Sequence, residues 1–135
     1  MTLPAALPQA PSVYAIRGAI DLPEDSPEAV RQAMAQLMQT LTEQNALTAP
    51  DASIISVFIS ITPDLTSYSP ALALREVLPM FGQVPLFCAQ EAMIRGMMPR
   101  VIRVLVQVQH RAADVLAPTP KHVYLGAAAR LRPDL

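Results

Sequence analysis

At 135 residues, 52% of them apolar and 16% charged, the chain has the size and composition of one globular domain with a single core. Ten basic residues against eleven acidic ones leave a net charge of -1, which argues against nucleic acid as the main partner. One cysteine, Cys88, excludes an internal disulfide and a cysteine-based metal cage, and two histidines, His110 and His122, are too few for a histidine metal site.

The opening stretch MTLPAALPQAPS has no basic leader and is broken by three prolines, so residues 1–12 read as a flexible arm. VYAIRGAI (13–20) is β-rich and reads as a strand. Ser26 then supplies an N-cap, with Pro27 at the first helical position and acids in the first turn. Val30, Met34, Leu37, Met38 and Leu41 follow at helical spacing, which predicts an amphipathic helix over 27–45. SIISVFISI (53–61) reads as a buried strand, and strand, helix, strand in that order suggests a βαβ crossover.

Thr62-Pro63-Asp64 makes a turn. Ser69-Pro70 repeats the cap signal and opens a shorter helix, ALALREVLPMF, ended by Pro79 and Gly82. VPLFC (84–88) and RVIRVLVQVQ (100–109) read as strands joined by a Met-rich turn around Gly96, and a last strand is expected near HVYLGAA. The order βαβαβββ defines one α+β domain over 13–135, a single mixed sheet with its helices on one face. The second face needs a cover as well, because RVIRVLVQV looks apolar on both sides, and another copy of the chain is the simplest one. The longest apolar runs are strand-sized and too short to cross a bilayer, so the expectation is a cytoplasmic protein without a membrane partner.

The four glycines are scattered and form no phosphate-cradling loop, and no hydrolase or metalloprotease motif is present. Cys88 ends an apolar strand with no base near it in sequence, which is the setting of a packed thiol rather than a nucleophile. His122, ahead of an apolar strand, reads as structural. What stands out is charge inside apolar strands: Arg17 in VYAIRGAI and Arg103 in RVIRVLVQV. A guanidinium there must meet a carboxylate or reach water. Glu91 is open to two readings, an internal salt-bridge partner or a ligand to a polar substrate. Several arginines with one glutamate suit a small anion carrying more than one carboxylate.

The same residues carry a resemblance. IRGA (16–19), ITPDL (61–65), SPALALRE (69–76), VPLFCAQE (84–91), PRVIRV (99–104), HVYL (122–125) and LRPDL (131–135) resemble, in order and spacing, the small trimeric chorismate mutases of the non-helical, Bacillus-type class. The resemblance implies a homotrimer with a central barrel-like core, active sites in clefts between subunits, and a cofactor-free, metal-free rearrangement of chorismate to prephenate in aromatic amino-acid biosynthesis. It implies that Arg17, helped by Tyr124, binds the side-chain carboxylate of the substrate, and that Arg103 reaches that carboxylate and the ether oxygen. Glu91 and Cys88 would hold the ring hydroxyl. Arg75 of the neighbouring subunit and Arg132 would line the cleft mouth, with Ala71, Leu86, Phe87 and Leu131 completing the lining. The chain departs from the family pattern at Ser69 for an aromatic residue, Leu72 for a lysine of a well-known member, and Ile20 for a threonine, and AMIRGMM lacks the usual acid. A non-catalytic trimer that binds a small carboxylate is the competing reading.

Overall fold

A computed structural model describes residues 12–111 and 116–131. Five strands and two helices follow one another as β1 (Ser12–Asp21), α1 (Pro27–Gln44), β2 (Ala52–Ile61), α2 (Pro70–Val77), β3 (Leu86–Gln90), β4 (Val101–His110) and β5 (Val123–Leu125). Short 3-10 turns cover Pro79–Phe81 and Gly126–Arg130. Of the arm expected over 1–12, Ser12 already belongs to β1 and the rest lies outside the described residues.

The strands form one mixed sheet in the order β3-β2-β4-β1-β5. β4 is antiparallel to both β1 and β2, while β3 runs parallel to β2 and β5 parallel to β1. β1 and β2 are therefore parallel to each other, as a βαβ crossover requires, but β4 is inserted between them.

Local chemistry sets the helix starts as the sequence predicts. Ser26 Oγ accepts from Ala29 N at 3.1 Å, and Ser69 Oγ accepts from Leu72 N at 3.2 Å, each with a proline opening the helix. α1 buries Val30, Met34, Leu37, Met38 and Leu41 against Ile16, Ile20, Val57, Ile59, Ile102 and Val104. A Cβ on Gly18 would sit 3.0 Å from Val104 Cγ2 and 3.2 Å from the Leu37 and Leu41 methyls, so the glycine of IRGA lets α1 close on β1.

Several boundaries differ from expectation. α2 stops at Val77, and Pro79, which lacks an N–H, starts a separate 3-10 turn rather than continuing the helix. β3 lies two residues later than VPLFC. The last strand is only three residues long, because Gly126 turns the chain at φ 63 and a Cβ there would collide with the Asp21 carboxylate. β4 is not apolar on both sides. Its helix-facing side is Ile102, Val104, Val106 and Val108, whereas Arg103, Leu105, Gln107 and Gln109 point the other way. The uncovered apolar surface on that second face comes chiefly from β2 and β3, where Phe58 and Phe87 are 47% and 62% exposed.

Candidate active site

Strand pleating and register bring Arg17, Phe87, Arg103 and Tyr124 to the open face of the sheet. Arg17 pairs with Leu105, Ala19 with both Arg103 and Tyr124, and Ser60 with Arg103, so all of them share the side that the helices leave bare. Arg103 Nε donates to Glu91 Oε1 at 2.8 Å, and Ser60 Oγ donates to the same oxygen at 2.8 Å. The salt bridge foreseen as one reading of Glu91 is thus present. It leaves two terminal nitrogens of Arg103 without a hydrogen-bond partner among the described residues, and the Arg17 guanidinium likewise makes no ion pair there. Arg17 is steadied through its backbone, since its N–H donates to His122 Nδ1 at 2.9 Å. His122 is structural in that sense.

Beside Arg103 lies a cleft of about 300 Å³ whose walls include Phe58, Ser60, Phe87, Ala89 and Leu105. That is the low end of the roughly 300–1,000 Å³ usual for ligand pockets. Phe87 packs edge-on against Phe58 with ring centroids 6.0 Å apart. Leu131 rests against a small second cluster of Ala19, Val101 and Ala128 at the Tyr124 end of this face. Ser60 and Phe58 were not singled out from the sequence. The alternation in SVFIS placed them on one face, but nothing in it said which face would carry the cleft.

The remaining expected residues sit elsewhere in the chain. Leu86 pairs with Val57 and Cys88 with Ile59, both core residues of the helix-covered face, so these two side chains lie on the far side of the sheet from Arg103. Ala71 and Arg75 belong to α2, whose Ala73 and Leu74 are buried in that same helix-side core. Arg75 is exposed and makes no ion pair among the described residues. Cys88 is on an exposed edge, and local desolvation pushes its thiol pKa up, which disfavours a thiolate. Arg132 lies outside the described residues. One chain therefore brings together Arg17, Glu91, Arg103 and Tyr124, and separates them by the thickness of the sheet from Ala71, Arg75, Leu86 and Cys88.

Arg103, with its terminal nitrogens free among the described residues, lines a cleft on the open face of an α+β sheet that Arg17 shares, an arrangement suited to a small anion. Comparison with known proteins narrows this. The chorismate mutase type I family matches residues 13–135. The chain is 42% identical to the chorismate mutase AroH of Thermus thermophilus over 123 residues, covering 91% of this chain and 96% of the relative. It is 37% identical to the chorismate mutase AroH of Bacillus subtilis, covering 91% and 92%. A solved chorismate mutase from Clostridium thermocellum superposes with a TM-score of 0.72 at 30% identity, over 87% of this chain and 98% of that one. The chain belongs to the chorismate mutase type I family, and its function is that of a chorismate mutase, an isomerase. No helix among the described residues is long and apolar enough to cross a membrane.

Proposed function

We propose that the chain converts chorismate to prephenate in clefts formed between the subunits of a cytoplasmic homotrimer, each cleft combining the open sheet face of one copy with the α2–β3 rim of the next. The observation that carries this reading is the split of the candidate residues across two faces of one sheet. A single copy offers half a site twice over. A neighbour that covers the exposed Phe58 and Phe87 brings its Arg75 and Cys88 toward Arg103 and Glu91, and it gives the apolar surface the partner it lacks.

The chemistry asks for little more than such a cleft. The rearrangement is unimolecular: one C–O bond breaks while one C–C bond forms, with no proton transferred. The protein holds a flexible dianion in its compact reactive shape. In this reading Arg17 and Tyr124 grip the side-chain carboxylate, and Glu91, with Cys88 of the neighbour, holds the ring hydroxyl. Arg103 places positive charge where the ether oxygen becomes negative. Preorganised donors of that kind are worth about 3–4 kcal/mol in other enzymes. Because Glu91 fixes Nε, the Arg103 plane is oriented before substrate arrives, and its terminal nitrogens remain for the ligand.

The test is to follow loss of the chorismate diene absorbance on purified protein while measuring its mass by sedimentation. A trimer with catalysed turnover, unchanged by chelator, is the expected result. A fully active monomer would remove the interface cleft, and a trimer that binds chorismate without turning it over would leave only the carboxylate-binding reading.

A further inference from the structure

Glu91 opens the loop that joins β3 to β4, Arg103 lies three residues beyond its far end, and both ends of that loop are tied to the end of β2 and the residue after it. At the near end Glu91 N donates to Ile61 O at 2.8 Å. At the far end Thr62 N donates to Val101 O at 3.1 Å, and Val101 N donates to Thr62 Oγ1 at 3.0 Å. Thr62 gives its own hydroxyl proton to Asp64 Oδ1 at 2.5 Å. A hydroxyl has one proton, so committing it to Asp64 turns the oxygen lone pairs toward Val101 N–H. Asp64 also accepts from Arg100 N, at 3.0 Å through Oδ2 and 3.2 Å through Oδ1.

That last contact lies at a strained point. Arg100 has φ 52, in the left-handed region that costs a residue with a side chain some stability. It is held there by Asp64, by Leu22 N donating to Arg100 O at 2.8 Å, and by Arg100 Nε donating to Leu22 O at 2.9 Å. The kink delivers the chain into β4 three residues before Arg103. Thr62 is 2% exposed, so no solvent replaces its hydroxyl if that is lost.

We infer that Asp64, acting through Thr62, is a positioning residue for the reaction, setting the reach and orientation of Arg103 relative to Glu91. The inference rests on the reading of Arg103 and Glu91 as the substrate-facing pair. Neither Thr62 nor Asp64 is a catalytic residue. Their effect is indirect, through the start of β4, and displacement of a catalytic group by about 1 Å can cost on the order of a hundredfold in rate.

Three variants with steady-state kinetics on chorismate and melting curves test it, with Arg103→Lys measured alongside. Thr62→Val keeps the shape and removes the hydroxyl, and it should lower kcat about tenfold while KM stays within about twofold, the pattern of a contact realised in the transition state. Thr62→Ser keeps the hydroxyl and removes a buried methyl, so it should melt lower than native yet retain kcat within about twofold. A merely structural role would make rate follow melting temperature instead. Asp64→Ala, at an exposed position, should reproduce the kcat loss even if Thr62→Val folds poorly. Native kcat in Thr62→Val and Asp64→Ala, with Arg103→Lys impaired, would overturn this inference alone. Native kcat in Arg103→Lys would overturn the assignment of Arg103 and this inference with it.

Discussion

The Arg103 guanidinium gives one donor to the protein and, in the proposed reading, keeps the others for the ligand. Nε is engaged by Glu91, and the terminal nitrogens are not engaged by any described residue. A lysine at this position could satisfy Glu91 or reach the ether oxygen, but a single ammonium on a flexible stem cannot hold both in a fixed plane. Arg103→Lys should therefore keep the fold and the melting temperature while lowering kcat about tenfold or more, equivalent to a loss of at least ~1.4 kcal/mol in the transition state. Near-native kcat would show that some other group carries the charge. Cys88 differs in kind. Desolvation raises its thiol pKa, so at neutral pH it is a neutral hydrogen-bonding group and a poor nucleophile. Its alkylation by iodoacetamide should stay slow at neutral pH and accelerate only above the range of a free thiol. Fast modification at neutral pH would contradict that environment. Arg17 and Arg103 were visible in the sequence as charges that apolar strands do not accommodate idly, and Glu91 as a candidate partner for one of them or for a polar ligand. The sheet face that each would occupy was not visible, because it depends on the register of neighbouring strands.

Helix starts were the most legible elements, since a cap and a proline act within four residues of chain. Ser26 and Ser69 make the bonds their sequence positions imply. Ser26→Ala should cost about 1 kcal/mol and lower the melting temperature by roughly 3 °C, without changing KM. The ends of elements were less legible: Pro79 was named as a stop, but that it opens a separate 3-10 turn, and that Gly126 cuts β5 short, depends on backbone geometry that a hydrophobic pattern does not register. Long-range polar clamps were not legible at all. Arg31 Nε pairs with Glu76 at 2.9 Å and its guanidinium lies 4.5 Å from the Tyr68 ring centroid, while the Tyr68 hydroxyl donates to Glu76, tying α1 to α2. The Tyr68 hydroxyl first, and then the Arg31 guanidinium, hold the Glu76 carboxyl below its usual range. Asp25 is held low chiefly by the Ser67 hydroxyl. A depressed folded pKa contributes stability that is present above the unfolded pKa and lost as pH falls through the folded one. The melting temperature should thus decline on acidification below about pH 4, the ordinary carboxylate range. Glu76→Gln should remove a modest part of that decline, modest because the pair is exposed to solvent. A Glu76→Gln acid limb identical to native would show that the clamp contributes nothing in solution.

At the scale of the whole molecule, the sheet itself decides what one chain can do. Arg75 stands on α2 in the helix layer, and Arg103 stands on the bare face. The same sheet cannot bring them to one ligand, so if both serve the same cleft they come from different copies. The proposed trimer makes this quantitative. Arg75→Ala and Arg103→Ala homotrimers should each be strongly impaired, because every cleft lacks one cation. When the two variants are unfolded together in equal amounts and refolded, their chains assort at random. A cleft is complete when its Arg103 comes from an Arg75→Ala chain and its Arg75 from an Arg103→Ala chain, which happens in about a quarter of clefts if each draws on two different subunits. Activity should then rise from the level of either parent to about a quarter of native, whereas mixing without unfolding should give only the mean of the two parents. If both arginines served the cleft from one chain, no assortment would repair it and refolded mixtures would stay as inactive as their components. If Arg75→Ala alone retained native kcat and KM, α2 would contribute no cation, and the rim of the cleft would have to be drawn from β3 of the neighbour instead.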